Sequence, residues 1–416
     1  MMKKLKIILK NLEKKSLVFR KLVRKILNLY RHLRYKIRSL GQIVDDKMIL
    51  FCSFYGKSYT DSPKAIYEYM QKQDKYKEYK YIWVFKELEK YEYLTKNKNT
   101  KIVRYNSKEY EQYLAKSKYW IWNYRTLNYI TPKKNQIYVQ CWHGTPLKKL
   151  GYDIENPDDV LNTKNEIRHK YKIDAKKFKY FLSPSKFATE KFISAWNLKK
   201  IKKENCIIQE GYPRNDFLFN YTDKDIQRIK EKLGITKTNK KIILYAPTWR
   251  DNQHKSEVGY TYKTELDFDR LQKELGQDYI ILFRAHYLVA NSFNFEKYKE
   301  FVYNVSDADD INELYIIADM LITDYSSVFF DYANLKRPII YYMYDFEEYK
   351  NELRGFYIDL EELPGKIIKE ESELIKEIKN ISFNFKYDDK YQKFNDKYNY
   401  LDDGTASKRV TEKINI

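Results

Sequence analysis

The 416 residues predict an α/β protein built as two parallel-sheet halves, and three observations carry that expectation. From residue 47 onward, short apolar runs rich in Ile, Val, Phe, Tyr and Trp alternate with helical patterns, the order of elements that a parallel sheet covered by helices requires. The alternation is interrupted once, over the polar stretch 221–240, and then restarts. Hydrophobic residues make up 43% of the chain and aromatics 17%, enough for packed cores over a length that suggests two or three domains.

The elements follow in order. Residues 1–40 hold 14 Lys and Arg against one acid, Glu13, so +13 of the net +21 lies at this end. Leu5, Leu12, Phe19, Ile26, Leu33 and Leu40 recur every seven residues, Ile8, Leu22 and Leu29 join their stripe, and Lys15 and Lys36 interrupt it. This predicts a basic amphipathic segment, 1–44, lying on an anionic membrane surface. A helix folded back on its own domain has little use for that charge, and a coiled coil wants both signs at its flanks. No RNA-binding motif accompanies the charge, so nucleic acid is not an expected partner. The longest apolar runs here, "IIL" and "LVF", are too short for a signal peptide or a membrane span.

"MILFCSF" then reads as a buried strand, and "DSPKAIYEYMQ" as a helix with Pro63 in its first turn. "YKYIWVF", "KIVRY", "KYWIWNY", "QIYVQCW", "KYFLSPS" and "CIIQEGYP" continue as strands, with helices at "SKEYEQYLAKS" and "KFATEKFISAW". This first domain is placed at 45–220 and a hinge or linker at 221–240. The second domain, 241–416, reads as strands at "KIILYAPTW", "YIILFRAH", "FVYNVS", "LITDYSS" and "PIIYYMYD" with helices between, and its last helix is a candidate to cross back. Ligands of open α/β sheets bind beyond the carboxyl ends of the strands, so the expected site is the cleft between the halves.

Candidate residues stand at those strand ends. His143, one of five histidines, follows "IYVQCW" and precedes Gly144, Thr145 and Pro146. Gly permits a sharp turn, and Thr-Pro suits a helix start whose free N–H groups would hold an anion beside the imidazole. Histidine is the convenient general base at neutral pH. Arg284 and His286 follow "YIILF", a cation and an imidazole suited to phosphate. Thr248 and Arg250 end a third strand, and Thr323, Asp324, Ser326 and Ser327 end a fourth, leading into a helix. "GYPRND" places Arg214, Asn215 and Asp216 near the hinge. Asp307, Asp309 and Asp310 form an acid cluster, read mainly as helix-start acids. Cys52, Cys141 and Cys206 are far apart and lack zinc spacing, so no metal site is expected. G-x-G-x-x-G, the Walker loop and G-x-S-x-G are absent. The tyrosines number 42 in a chain also rich in Lys, Asn and Ile, so a single Lys or Tyr carries little weight.

Taken together, "WHGTPLKKLGYD", "SPSKFATEKF", "GYPRND", "YAPTWRD", "FRAHYLV", "VSDADDINELYIIADMLITDYSSVFFDYANLKRPIIYY", "RGFYIDLEELPG" and "DDGTASKR" resemble the CDP-glycerol glycerophosphotransferases over roughly residues 45–410. The resemblance implies a GT-B fold, two Rossmann-like domains around a cleft, in a peripheral enzyme at the cytoplasmic face of the membrane. It implies transfer of glycerol phosphate from CDP-glycerol to a hydroxyl of a lipid-linked glycan or glycerol phosphate acceptor, with release of CMP, in teichoic acid or capsule synthesis. His143 matches the family's proposed base and His286 its second essential histidine. Arg284, Thr323, Ser326 and Ser327 match the part that holds the donor pyrophosphate. No cofactor is implied beyond magnesium pairing with free pyrophosphate oxygens. The basic segment stands where some family polymerases carry a longer domain, so single-unit and repeated transfer stay open. Alternatives are a ribitol phosphate transferase using CDP-ribitol and a GT-B glycosyltransferase using a nucleotide sugar.

Overall fold

The computed structural model describes residues 17–155, 163–236, 238–248, 254–255, 259–260, 266–285, 295–346 and 355–416. Two all-parallel sheets organise them. The first contains β1 (Asp45–Cys52), β2 (Lys80–Phe85), β3 (Thr100–Arg104), β4 (Ser117–Trp122), β5 (Ile137–Gln140), β6 (Tyr180–Ser183) and β7 (Ile207–Gln209), in the order β3-β2-β1-β4-β5-β6-β7. The second contains β8 (Lys241–Ala246), β9 (Tyr279–Phe283), β10 (Val302–Asn304), β11 (Met320–Thr323), β12 (Ile339–Tyr342) and β13 (Lys366–Ile368), in the order β10-β9-β8-β11-β12-β13.

The strands read as unbroken apolar runs because helices cover both faces of each sheet. On one face of the first sheet, Phe51, Trp83 and Phe85 stack in a row; on the other, Trp120 and Trp122 do so. The order of strands reverses between β1 and β4 and again between β8 and β11. Such reversals splay the adjoining loops apart and open a crevice at the carboxyl ends.

Helix α1 (Leu17–Ser39) lies on the first domain. Arg34 and Arg38 both reach the buried Glu111 carboxylate, at 2.6 and 2.9 Å, on α2 (Lys108–Lys116). Tyr35 is buried between them, Arg24 pairs with Glu166 at 3.2 Å, and His32 Nδ1 contacts the Tyr129 carbonyl at 3.1 Å. Part of the basic charge therefore fastens the helix to its own domain, a use the sequence reading discounted. The opposite face still exposes Leu22, Ile26, Leu29, Tyr30, Leu33, Ile37 and Leu40. Residues 1–16 lie outside the described residues.

The stretch 221–240, expected as a polar helix and linker, does form a helix, but it packs on the second domain instead of standing between the halves. Helix α3 (Asp223–Lys232) opens with a reciprocal cap between Thr222 and Asp225, buries Ile229 in the second core, and sends Arg228 and Lys232 to Glu313. The chain changes domains just before it, around Pro213–Asn220. It changes again near the end, where α4 (Ala406–Lys413) packs on the first domain and buries Val410 beside Ile49 and Ile66. Asp216 holds the start of α4 by accepting from Ala406 N and Ser407 N, both at 2.8 Å.

Replacing Glu111 with alanine removes the shared anchor of α1. Arg34 and Arg38 side chains are 28% exposed and can regain water, so the cost falls below that of orphaning a fully buried ion. A loss of about 2 kcal/mol is expected in urea unfolding. An unchanged midpoint would show that α1 is held by its apolar contacts alone.

Candidate active site

His143 is aimed by strained backbone. After β5, Trp142 adopts a left-handed conformation (φ 53°), its N–H bonding the Gln140 side chain at 2.9 Å. At the end of β1, Phe54 and Tyr55 are also left-handed, at 45° and 60°. Such positions in bulky residues cost about 1–3 kcal/mol each and persist only where the surroundings enforce them. The imidazole stacks on Trp142 at 4.2 Å between centroids, with the Phe54 ring 5.7 Å away. Its Nδ1 lies 2.7 Å from the Asn123 carbonyl beyond β4. A carbonyl can only accept, so Nδ1 carries the hydrogen and Nε2 holds the lone pair. Burial pushes the imidazole pKa below its ordinary value, and Arg214 and Arg125 add to the shift; the Asn123 contact and Asp61 oppose it. The neutral form of the ring is thereby favoured.

No helix follows His143, contrary to the expectation from Gly-Thr-Pro. Residues 144–150 cross to the second domain instead. Lys149 N bonds Gly355 O at 3.0 Å and Tyr357 N bonds Leu147 O at 2.8 Å, flanking a bridge between Lys148 and Phe356. Pro146 lacks the N–H a helix would use, and main-chain partners in the other domain satisfy the segment. Gly144 has φ 149°, and a Cβ there would lie 3.2 Å from Arg214 Nη2 and 3.3 Å from Ser327 Oγ. Glycine lets the second domain come this close.

A cleft of ≈ 550 Å³ lies between the domains. His143, Gly144 and Thr145 form one wall; Thr248, Arg284, Ser326 and Ser327 form the other. Arg284 donates to the carbonyls of Ala308, at 2.9 Å, and Val305, at 3.4 Å, and has no carboxylate partner among the described residues. Burial lowers its pKa, with Tyr315, Asp310 and Asp309 opposing. Ser327 stands at the start of α5 (Val328–Tyr332) and does not cap it with its side chain.

Thr323 and Asp324 lie beneath this wall. The Thr323 hydroxyl donates to Ala246 O at 2.8 Å, and Asp324 accepts from the main-chain N–H of Thr248 at 2.8 Å and of Tyr325 at 2.6 Å. They tie the loops of β8 and β11 together. Arg250 and His286 fall outside the described residues.

The "GYPRND" segment is a junction. Arg214 donates to the His143 carbonyl at 2.8 Å and to Asp61 at 3.3 Å, and forms a short ion pair with Asp331 on α5. Asp61 and Asp331 side chains are each 4% exposed, so these pairs are out of water. Asn215 donates to Asp331 at 3.1 Å and to Asp402 at 2.6 Å. Burial pushes Asp402 up to about 7, against bonds from Tyr212 and Asn215 and with Asp331 adding to the rise. Asp309 and Asp310 pair with Lys90 and Lys64 of the first domain, both at 2.7 Å. Asp61, Asn123, Asp331 and Asp402 were missed as functional residues. All four lie in quoted stretches: Asp61 in "DSPKAIYEYMQ", Asn123 in "KYWIWNY", Asp331 in "ITDYSSVFFDYA" and Asp402 in "DDGTASKR".

Two parallel-sheet domains with a histidine on one lip and a cation with hydroxyls on the other make the chain an enzyme of the GT-B-like class. The family model of the CDP-Glycerol:Poly(glycerophosphate) glycerophosphotransferases matches residues 33–415, and the chain belongs to that family. It is 42% identical over 399 residues to the teichoic acid poly(glycerol phosphate) polymerase of Bacillus spizizenii, covering 94% of this chain and 99% of the relative. It is 38% identical to the teichoic acid glycerol-phosphate transferase of Staphylococcus aureus, covering 90% and 94%. The solved structure of the wall teichoic acid polymerase TagF superposes with TM-score 0.82 at 39% identity, covering 95% of this chain and 97% of that one.

Arg214→Met leaves two buried carboxylates facing each other without their cation. A loss of about 3–5 kcal/mol is expected in urea unfolding. A change under 1 kcal/mol would show that the junction is held by other contacts.

Proposed function

We propose that this protein transfers glycerol phosphate from CDP-glycerol to a hydroxyl of a teichoic acid acceptor, releasing CMP. The observation that carries it is a neutral histidine with its Nε2 lone pair available, set across one cleft from a buried arginine that lacks a carboxylate partner among the described residues. The acceptor oxygen attacks the phosphorus that bears glycerol. As that bond forms, the bond to the bridging oxygen breaks and CMP leaves with the electron pair, while His143 Nε2 takes the hydroxyl proton. Arg284 and the hydroxyls of Ser326 and Ser327 hold negative charge on the phosphates, in the manner by which positioning and electrostatics carry phosphoryl transfer. His286, which the resemblance matches to the family's second essential histidine, is assigned here with Arg284 to the donor half of the reaction.

The acceptor is lipid-linked in this reading, and the exposed apolar face of α1 with its flanking cations is the membrane contact. Each Lys or Arg near an anionic surface contributes about 1 kcal/mol within a Debye length. The apolar face adds roughly 25 cal/mol per Å² buried, which salt does not screen.

CMP release measured with CDP-glycerol, CDP-ribitol and a nucleotide sugar side by side tests the donor, and CDP-glycerol is expected to be preferred. His143→Ala is expected to lose about 10²–10⁴-fold in turnover with the fold intact. The wild-type profile should fall on the acid side only below the ordinary imidazole pKa, because protonation of His143 is what stops the base. A mutant within a few-fold of wild type removes this role. For the membrane contact, Ile26→Glu with Leu33→Glu changes only exposed positions. This variant should sediment poorly with anionic vesicles yet keep full activity on a soluble acceptor; equal sedimentation places the contact elsewhere.

A further inference from the structure

A second cavity, ≈ 340 Å³, opens where α1 meets the first domain. Arg24, Asn28 and Arg31 line it from α1, Arg125 and Asn128 from the loop after β4, and Lys170 from the helix Lys164–Lys177. Four of these six carry positive charge, and no acid lines the cavity. Arg24 is already paired with Glu166 at its edge. Arg31 is exposed and makes no ion pair among the described residues. The Arg125 guanidinium is set 4.5 Å over the Tyr171 ring, which fixes its position without neutralising it.

The cavity shares its supports with the catalytic histidine. Asn123, whose carbonyl takes the His143 hydrogen, is two residues before Arg125. Phe54 stands beside the imidazole, and its neighbour Tyr55 lines the cavity. The field of Arg125 reaches His143 and helps keep it neutral. On its other side, the cavity is walled by the same helix that presents the exposed apolar face. The cavity thus lies between α1 and the loops that support His143.

We propose that this pocket is an acceptor subsite, in which Arg31 and Arg125 hold a phosphodiester of the acceptor chain set back from the attacking hydroxyl. It rests on the functional reading above and adds the acceptor feature that is recognised. A poly(glycerol phosphate) chain carries one negative charge per repeat and no ring or aromatic group, so cations are the means of gripping it. Arginine supplies a planar fork matched to phosphate oxygens. The pocket also distinguishes an acceptor that already bears a phosphodiester from free glycerol.

The test uses the full chain and a short, soluble poly(glycerol phosphate) oligomer as acceptor. Arg31→Gln and Arg125→Gln are each expected to raise the acceptor KM about tenfold, the loss of one charged hydrogen-bonding group. In Arg31→Gln, which leaves the pull of Arg125 on His143 in place, donor KM, turnover at saturating acceptor and activity toward free glycerol should be unchanged; the acceptor KM of the wild type should rise with salt. Arg31→Glu, at an exposed position, gives a second variant should Arg125→Gln melt early. Calorimetric titration of the oligomer without donor reads the same loss independently of turnover. An unchanged acceptor KM and unchanged oligomer binding overturn the subsite. So does a loss confined to binding of phosphatidylglycerol vesicles, which makes the pocket a headgroup site. Failure of the wild type to release CMP from CDP-glycerol overturns the functional reading itself.

Discussion

The buried guanidinium of Arg214 is the contact on which the arrangement of the two domains depends. A charge taken out of water is costly unless paired and fully hydrogen-bonded. Here Asp61 comes from the first domain, Asp331 from the second, and the carbonyl of His143 from the lip of the cleft. Burial alone would lower the arginine's affinity for its proton, but Asp331 and Asp61 outweigh it and the group stays charged. Burial pushes the Asp331 carboxyl up, and Arg214 and Asn215 oppose that shift. With the guanidinium between two carboxylates, the ionic form is the one this geometry supports. One side chain thus relates both domains to the main chain that carries His143.

The site then follows from topology. In both sheets the strand order reverses next to the first strand, and the loops beyond β5, β8, β9 and β11 converge on one crevice, with the loop beyond β4 supporting His143 from behind. Their side chains divide the work. Asp324 and Thr323 fasten loops to one another, while His143, Arg284, Ser326 and Ser327 face the cleft. Strain gathers on the first domain's side, at Phe54, Tyr55 and Trp142. The second domain supplies cation and hydroxyls, so neither half holds a complete site.

Much of this was legible in the sequence, and the reasons are physical. Parallel strands covered on both faces must be apolar throughout, so "YKYIWVF" and "KIILYAP" announced themselves. Site residues of an open sheet must follow strands, which singled out His143, Arg284 and the serines. The misreadings share a cause, in that local signals were overruled by partners remote in the chain. Gly-Thr-Pro looked like a helix start until the 355–357 segment claimed its main chain. The 221–240 stretch looked like a linker because its polar face was visible and the packing of Ile229 and Ile235 was not. Arg34 and Arg38 read as surface charge because nothing near them in sequence pointed to Glu111.

The main-chain bonds that join residues 147 and 149 to 357 and 355 act as a clasp across the mouth of the cleft. Each is worth only about 0.5–1.5 kcal/mol net, yet both must part before the domains can swing wide. Because the clasp begins four residues after His143, any such swing also drags on the loop that aims it. Opening of the cleft and the placement of His143 are therefore coupled through one piece of backbone. With the clasp closed, the crevice is reached along its open flank rather than by parting the two lips.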